Sequence, residues 1–423
     1  MPGEQFPIII TTYAGLENSL AEELKDLGSQ DVLAGRRMVS LKGDMETLYR
    51  INYRSRLGLR VLRQLAVFNL TDQNSYYEAL GSLPWESWIA RDQSIAIDAV
   101  VSGKILTHSQ FAAQRAKDAI VDRLRNLQGW RPGVDLTRPD IRIHVHVNQD
   151  SCHVSLDSSS EPLHKRGYRK AQGDAPLSEV MAAGLIHLSN WSGEGEFLDP
   201  MCGSGTIAIE AAMKALNYPA AYFRRFFGFQ RWPDFEQKTW DRIKEEGLES
   251  RIIADPFIRA SDASYKAVAN ASLNIAQAGF TDLIKLEKKP FQAVFPRRLN
   301  GTIITNPPYN ERIKSQYNIE LYKSFGDILK TRFKGYTAWI FSGDMEALSR
   351  IGLRTSARIP LFNGPIECRL ARFDLFQGTL VAHKYGDASD EKVKERVLRK
   401  RRGHGNAGEG NKEETDNFAT HDD

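Results

Sequence analysis

Cysteine is scarce in this chain: three in 423 residues, at Cys152, Cys202 and Cys368. They are too widely separated to make a disulfide framework or a metal cluster of recognisable spacing. No metal is therefore expected, and a reducing, cytoplasmic setting fits. Long apolar runs are missing as well, and none approaches the roughly 20 residues of a membrane-crossing helix. The opening Met1-Pro2-Gly3-Glu4-Gln5 lacks the basic start and apolar core of a secretion signal. Charge of one sign is in short supply. Lys and Arg number 57 against 53 Asp and Glu, and the net +4 permits a nucleic-acid partner without arguing for one. There are no internal repeats. What remains is an ordinary globular composition on a chain long enough for two or three domains.

The most informative stretch is Phe197-Leu198-Asp199-Pro200-Met201-Cys202-Gly203-Ser204-Gly205-Thr206. An apolar run ends in an acid, a small-residue turn comes next, and then Ile207 to Leu216, Ala-rich and free of proline. Strand, glycine loop and helix in that order make the first unit of a doubly wound α/β sheet. Its ligand is expected outside the carboxyl end of the strand. The loop is not G-x-x-x-x-G-K-[ST], which disfavours a triphosphate, and it lacks the last glycine of a dinucleotide fingerprint. Asp262 ends the next strand, where an acid can accept hydrogen bonds from ribose hydroxyls. A nucleoside with a cationic or neutral tail is the better guess.

Upstream, Pro7 to Tyr13 reads as a strand, and Leu16, Leu20, Leu24 and Leu27 recur at helical spacing before Gly28. Ser109 is a plausible cap for a helix striped by Ala116, Ala119, Ile120, Leu124 and Leu127. Ile141 to Val147 alternates as a half-buried strand, with His144 and His146 on its polar face as solvated surface rather than metal ligands. Residues 1 to about 160 thus read as an α+β unit separate from the rest of the chain. Tyr53 to Arg63 is basic and apolar together: either a helix or strand with one solvated face, or an RNA-backbone contact. Leu163-His164-Lys165-Arg166-Gly167-Tyr168-Arg169-Lys170 is either a basic linker or a phosphate-contacting strip at the mouth of the site. Tyr222 to Trp232 interleaves aromatics with arginines, which suits base stacking or an aromatic mini-core packing an insertion onto the sheet.

Downstream, Ile284 to Leu286, Thr302 to Thr305 and Thr337 to Ser342 read as further strands, and Arg354 to Leu361 pairs antiparallel with Ile366 to Phe376. The chain beyond Gly386 is polar, charged and Gly-rich, and is expected to be disordered. The fourth strand of the sheet runs into Asn306-Pro307-Pro308-Tyr309. Two prolines fix φ and remove N–H groups, making a stiff loop that can aim polar atoms inward. The Asn306 oxygen and the Pro307 carbonyl can both accept from one planar NH₂ group, with Tyr309 stacked on its ring. Such positioning would raise the electron density of an otherwise poorly nucleophilic nitrogen. The bland alternative is a rigid proline turn.

Asp199 to Thr206 together with Asn306 to Tyr309 resembles the class I S-adenosylmethionine-dependent methyltransferases that act on planar amines. Ser109-Gln110, Ala116 to Asp122, Arg131-Pro132, Asp135 and Pro139 to Arg142 are similar to the THUMP RNA-binding domain, with Leu163 to Arg169 as its exit. Together they resemble the bacterial 23S rRNA guanine-N2 methyltransferase family, over roughly residues 5 to 385. The resemblance implies a Rossmann-like methyltransferase sheet preceded by an α+β region. That division is a ferredoxin-like part (1–55), a THUMP domain (56–160), a methyltransferase domain (161–385) and a charged tail (386–423). It implies S-adenosylmethionine as cofactor, held by Asp199, Met201, Cys202, Gly203, Ser204, Gly205, Thr206 and Asp262. Asn306, Pro307, Pro308 and Tyr309 would hold the target guanine. RNA, 23S rRNA foremost, is the implied partner, met by Lys165, Arg166, Tyr168 and Arg169. This chain departs from the family at Ser264 and Pro290, where relatives often carry acids. A tRNA guanine methyltransferase and a non-catalytic RNA-binding assembly factor are the alternatives.

Overall fold

The computed structural model describes residues 4–173, 176–308 and 316–376. The first half of the chain builds one mixed sheet from β1 (Phe6–Thr11), β2 (Leu33–Gly35), β3 (Met38–Gly43), β4 (Arg60–Asn69), β5 (Ser94–Ser102), β6 (Gly133–Val134), β7 (Ile141–Asn148) and β8 (Ser151–Asp157). Their order is β2-β3-β1-β4-β8-β7-β5-β6. Helices α1 (Glu17–Asp26), α2 (Met45–Arg54), α3 (Gln73–Ser82) and α4 (Ser109–Gln128) accompany it. The stretches read as ferredoxin-like and THUMP share this sheet, because β4 pairs with β1 on one side and β8 on the other. Ser109 is the first residue of α4 rather than its cap; His108 holds the cap position and makes no side-chain capping bond.

The second half begins with α5 (Glu179–Leu188) and continues through β9 (Glu196–Asp199), α6 (Thr206–Ala215), α7 (Gln237–Glu249), β10 (Phe257–Asp262), α8 (Tyr265–Gln277), β11 (Ile284–Lys288) and β12 (Gly301–Thr305). It closes with α9 (Gln316–Arg332), β13 (Tyr336–Ser342), α10 (Met345–Ser349), β14 (Ala357–Asn363) and β15 (Ile366–Asp374). The sheet order is β11-β10-β9-β12-β13-β15-β14, with β15 antiparallel to both of its neighbours, β13 and β14, and every other pair parallel. Strand order reverses beside β9, and that crevice is where a doubly wound sheet takes its ligand.

The N-terminal strands form a sheet of their own, but its core draws on residues from beyond position 160. Phe227, Phe229, Trp232, Trp240 and Ile243 are buried in the core of the first sheet, although they come after α6 in sequence. Phe227 stacks on Phe229, and Trp240 meets Tyr49 and Tyr53 of α2 edge-on. The aromatic stretch therefore packs as a mini-core, but onto the other sheet. The described residues up to Leu375 form one compact unit. The basic Tyr53 to Arg63 stretch is consumed the same way. Arg56 Nη2 donates to the carbonyls of Met213 (3.0 Å) and Tyr218 (2.6 Å), while Arg60 pairs with Asp157 and Arg63 with Asp234. The expected C-terminal tail lies outside the described residues.

Candidate active site

At the carboxyl end of β9, Asp199 lies in register with Ala260 of β10, and Leu198 with Ile303 of β12. Both parallel neighbours outlast β9, so their last residues flank the turn after it. Cys202 N–H donates to the Ser261 carbonyl (2.9 Å), and Gly203 N–H to Asp262 Oδ2 (3.0 Å). The other Asp262 oxygen accepts from Ser264 N–H at 2.8 Å, so the residue standing in place of a second acid fixes the first through its backbone. Gly203 and Gly205 have φ of +53° and +81°, left-handed values that favour glycine. A Cβ on Gly203 would enter open space beside the loop, whereas one on Gly205 would come 3.2 Å from Ala271 Cβ. Gly205 caps α6 without a side-chain bond, leaving the helix to begin on its bare amides.

Asp199 is fully buried. Its Oδ1 accepts from Thr305 Oγ1 at 2.9 Å and from Met201 N–H at 3.4 Å, while Oδ2 has no partner. Burial pushes its pKa up to about 7, opposed by the bonds from Thr305 and Met201 and assisted by the charge of Asp262. Burial also raises the Cys202 thiol well above its usual range, so this side chain packs as a small apolar group. Thr305 is the last residue of β12, and Asn306 comes directly after it. Asn306 Oδ1 is buried and likewise unpartnered. Pro307 is buried and Pro308 exposed; Tyr309 lies outside the described residues. Two orphaned acceptors thus stand on adjacent strands, linked by the Thr305–Asp199 hydrogen bond. Buried polar atoms are nearly always satisfied, so an unpartnered pair at the carboxyl ends of neighbouring strands makes this edge of the sheet the candidate site. One acceptor is carboxylate, fitted to a cation; the other is an amide oxygen, fitted to an NH₂ group.

The basic strip divides. Lys165 is exposed and pairs with Glu161. Arg166 and Tyr168 are each 1% exposed. Arg166 donates to the carbonyls of Leu163 and Arg56 and faces Glu210 at 3.5 Å; the Tyr168 hydroxyl donates to Glu210 at 3.0 Å. A phosphate contact by these two is ruled out by burial, and they anchor the linker to α6 instead. Arg169 also reaches inward, to Glu179, Ser204 and Thr206. Sequence reasoning missed Thr305 and Asn274. Asn274 had a signal: it is a polar residue on the apolar stripe of α8, between Ala271 and Ile275, and its side chain bonds the Ser204 carbonyl. At the end of β11, Lys289 N–H bonds the Asp262 carbonyl and Pro290 starts a single 3-10 turn with Phe291 buried, so no acid takes that position. His144 and His146 are half-buried with lowered pKa, by burial first, and among the described residues no trio of metal-ligating side chains gathers anywhere.

Comparison with known proteins bears on this geometry. Residues 166–372 match the RMKL-like methyltransferase domain, 71–157 the THUMP domain and 7–62 the RlmL ferredoxin-like domain. A protein of Synechocystis, named "Putative RNA methyltransferase", is 38% identical over 88% of this chain and 97% of its own length. The ribosomal RNA large subunit methyltransferase K/L of Syntrophotalea carbinolica is 38% identical over 86% of this chain. The chain spans 53% of that relative, about half its length. Among solved structures, SMU.472, described as "a putative methyltransferase complexed with SAH", superposes with a TM-score of 0.80 at 27% identity, covering 89% of this chain and all of its own. A Listeria monocytogenes protein described as a predicted N6-adenine-specific DNA methylase gives 0.79 at 26% identity, over 89% of this chain and 97% of its own.

Proposed function

Because this chain belongs to the family that joins RlmL ferredoxin-like and THUMP domains to an RMKL-like methyltransferase domain, we propose that it methylates the exocyclic N2 amine of a guanine in 23S ribosomal RNA, with S-adenosylmethionine as donor. The observation that carries the proposal is the orphaned pair, Asp199 Oδ2 and Asn306 Oδ1, at the ends of adjacent strands.

Asp199, the Met201–Thr206 loop and Asp262 are the residues that would hold the donor. The bound donor supplies a methyl group on a sulfonium sulfur. Asp199 offers a carboxylate oxygen to a cationic group, Asp262 a fixed carboxylate to hydroxyls, and Gly203 an open approach to the backbone. Asn306 Oδ1 accepts one hydrogen of the target amine and the Pro307 carbonyl the other, which orients the nitrogen and enriches it in electron density. Pro307 and Pro308 keep this loop stiff, and Tyr309 provides the stacking ring. A base inside a helix cannot reach such a crevice, so the guanine is flipped out. The first sheet, with its THUMP match, docks on RNA shape and phosphates.

An adenine amine meets the same two acceptors equally well, and the Listeria neighbour is described as specific for that amine. The THUMP match and the RNA methyltransferase relatives favour RNA over DNA. The test is turnover on large-subunit rRNA lacking the modification. Asn306→Ala is expected to lower turnover by roughly 100-fold or more, with donor affinity kept. Wild-type turnover in that variant would refute the mechanism.

A further inference from the structure

The linker that leads into α5 is built into the wall of the glycine loop. Arg169 Nε donates to Glu179 Oε1 (2.8 Å), Nη1 to Ser204 Oγ (3.1 Å), and Nη2 to the Leu177 carbonyl (2.9 Å) and Thr206 Oγ1 (3.0 Å). Two of its acceptors are the hydroxyls that flank Gly205. From α8, Asn274 Nδ2 donates to the carbonyls of Ser204 (3.0 Å) and Ala171 (2.8 Å), and Oδ1 accepts from the N–H groups of Lys170 (2.8 Å) and Ala171 (3.0 Å). Asn274 is 1% exposed, and its amide uses both donors and both lone pairs. The front of the loop is held by β10, through Cys202 and Gly203. The rear, Ser204 to Thr206, is held by a linker arginine and a buried asparagine that appear in no glycine-loop pattern.

We propose that Arg169 and Asn274 are positioning residues that lock Ser204–Thr206 to the linker, and so set the affinity of the site for its methyl donor. The inference rests on the reading of that loop as the donor site. Glycines at 203 and 205 make the loop costly to order, and a loop ordered in advance spares that cost on binding. The guanidinium of Arg169 is committed to protein acceptors, so it is not a phosphate contact for RNA. The forked geometry matters: a lysine keeps the charge opposite Glu179 but cannot reach both hydroxyls at once.

The test uses the full chain with Arg169→Lys and Asn274→Ala. Calorimetry with S-adenosylmethionine gives donor affinity, filter binding on large-subunit rRNA gives RNA affinity, and hydrogen exchange reads the amides of residues 203–206. Each variant is expected to weaken donor binding about tenfold, to speed exchange in the loop and to leave RNA affinity unchanged, with kcat at saturating donor nearly kept. Arg169→Lys, which retains the ion pair with Glu179, carries the test if Asn274→Ala does not fold. Unchanged donor affinity overturns the proposal, and a loss of RNA affinity in its place would make Arg169 an RNA contact. If the wild type itself bound no donor, the reading of the loop would fall and this inference with it.

Discussion

Asp199, proposed above to meet the methyl donor, works against the fold that holds it. Its pKa of about 7 in the folded chain compares with about 3.9 for an ordinary aspartate. Between those values the folded protein keeps a proton that the unfolded chain has released. The stability Asp199 contributes is therefore full below about pH 4 and is lost as pH rises through 7. Above that point a buried charge with one unpartnered oxygen remains. Asp199→Asn should then raise the melting temperature of ligand-free protein at pH 8 by a few degrees, read by calorimetry, while weakening donor binding. In the wild type, donor affinity should fall as pH drops through 7, because the carboxylate that meets the cation is being neutralised. A pH-independent affinity would contradict this role.

At the scale of the element, the linker from Leu163 to Ala171 is a strap pinned by three buried side chains, Leu163, Arg166 and Tyr168, with Lys165, Gly167 and Lys170 exposed between them. Arg166 and Tyr168 converge on Glu210, whose carboxyl is pushed up by burial and drawn back by Arg166 and Arg56. Removing one partner leaves an unpaired buried charge, so Arg166→Ala is expected to cost about 3–5 kcal/mol. Lys165→Ala, at an exposed pair, should change urea unfolding by less than about 1 kcal/mol. Equal effects would contradict the division. Composition marks these residues as a basic strip and cannot say which are buried, since Glu210 lies in a helix well downstream of them. The glycine loop and Asn306-Pro307-Pro308 were legible because each is local: a strand end, a turn and the residue types that the turn requires. Thr305 and Asn274 act across strands and helices, and only the misplaced polar residue on the stripe of α8 hinted at one of them.

For the whole molecule, the strands and helices of the second sheet could be read from their alternation along the chain, but the union of the two halves could not. The aromatic segment after α6 buries Phe227, Phe229 and Trp240 in the first sheet, and Arg56 reaches back to the end of α6. A fragment beginning near residue 161 would expose that aromatic cluster. It is expected to lose fixed tertiary packing, seen as a weak near-UV circular dichroism signal and dye binding, whereas the full chain remains folded. An intact, cooperatively unfolding fragment would show that the shared core is dispensable. Sequence periodicity could not reveal this, because an aromatic run states that it needs a core and not whose.

Whether an amine held by Asn306 and its prolines receives a methyl group on RNA is decided most directly by nucleoside mass spectrometry. Unmodified large-subunit rRNA is incubated with the full chain and S-adenosylmethionine, then digested. N2-methylguanosine is expected as the new nucleoside, absent with Asn306→Ala. N6-methyladenosine in its place, or no methylated nucleoside at all, would contradict the proposed reaction.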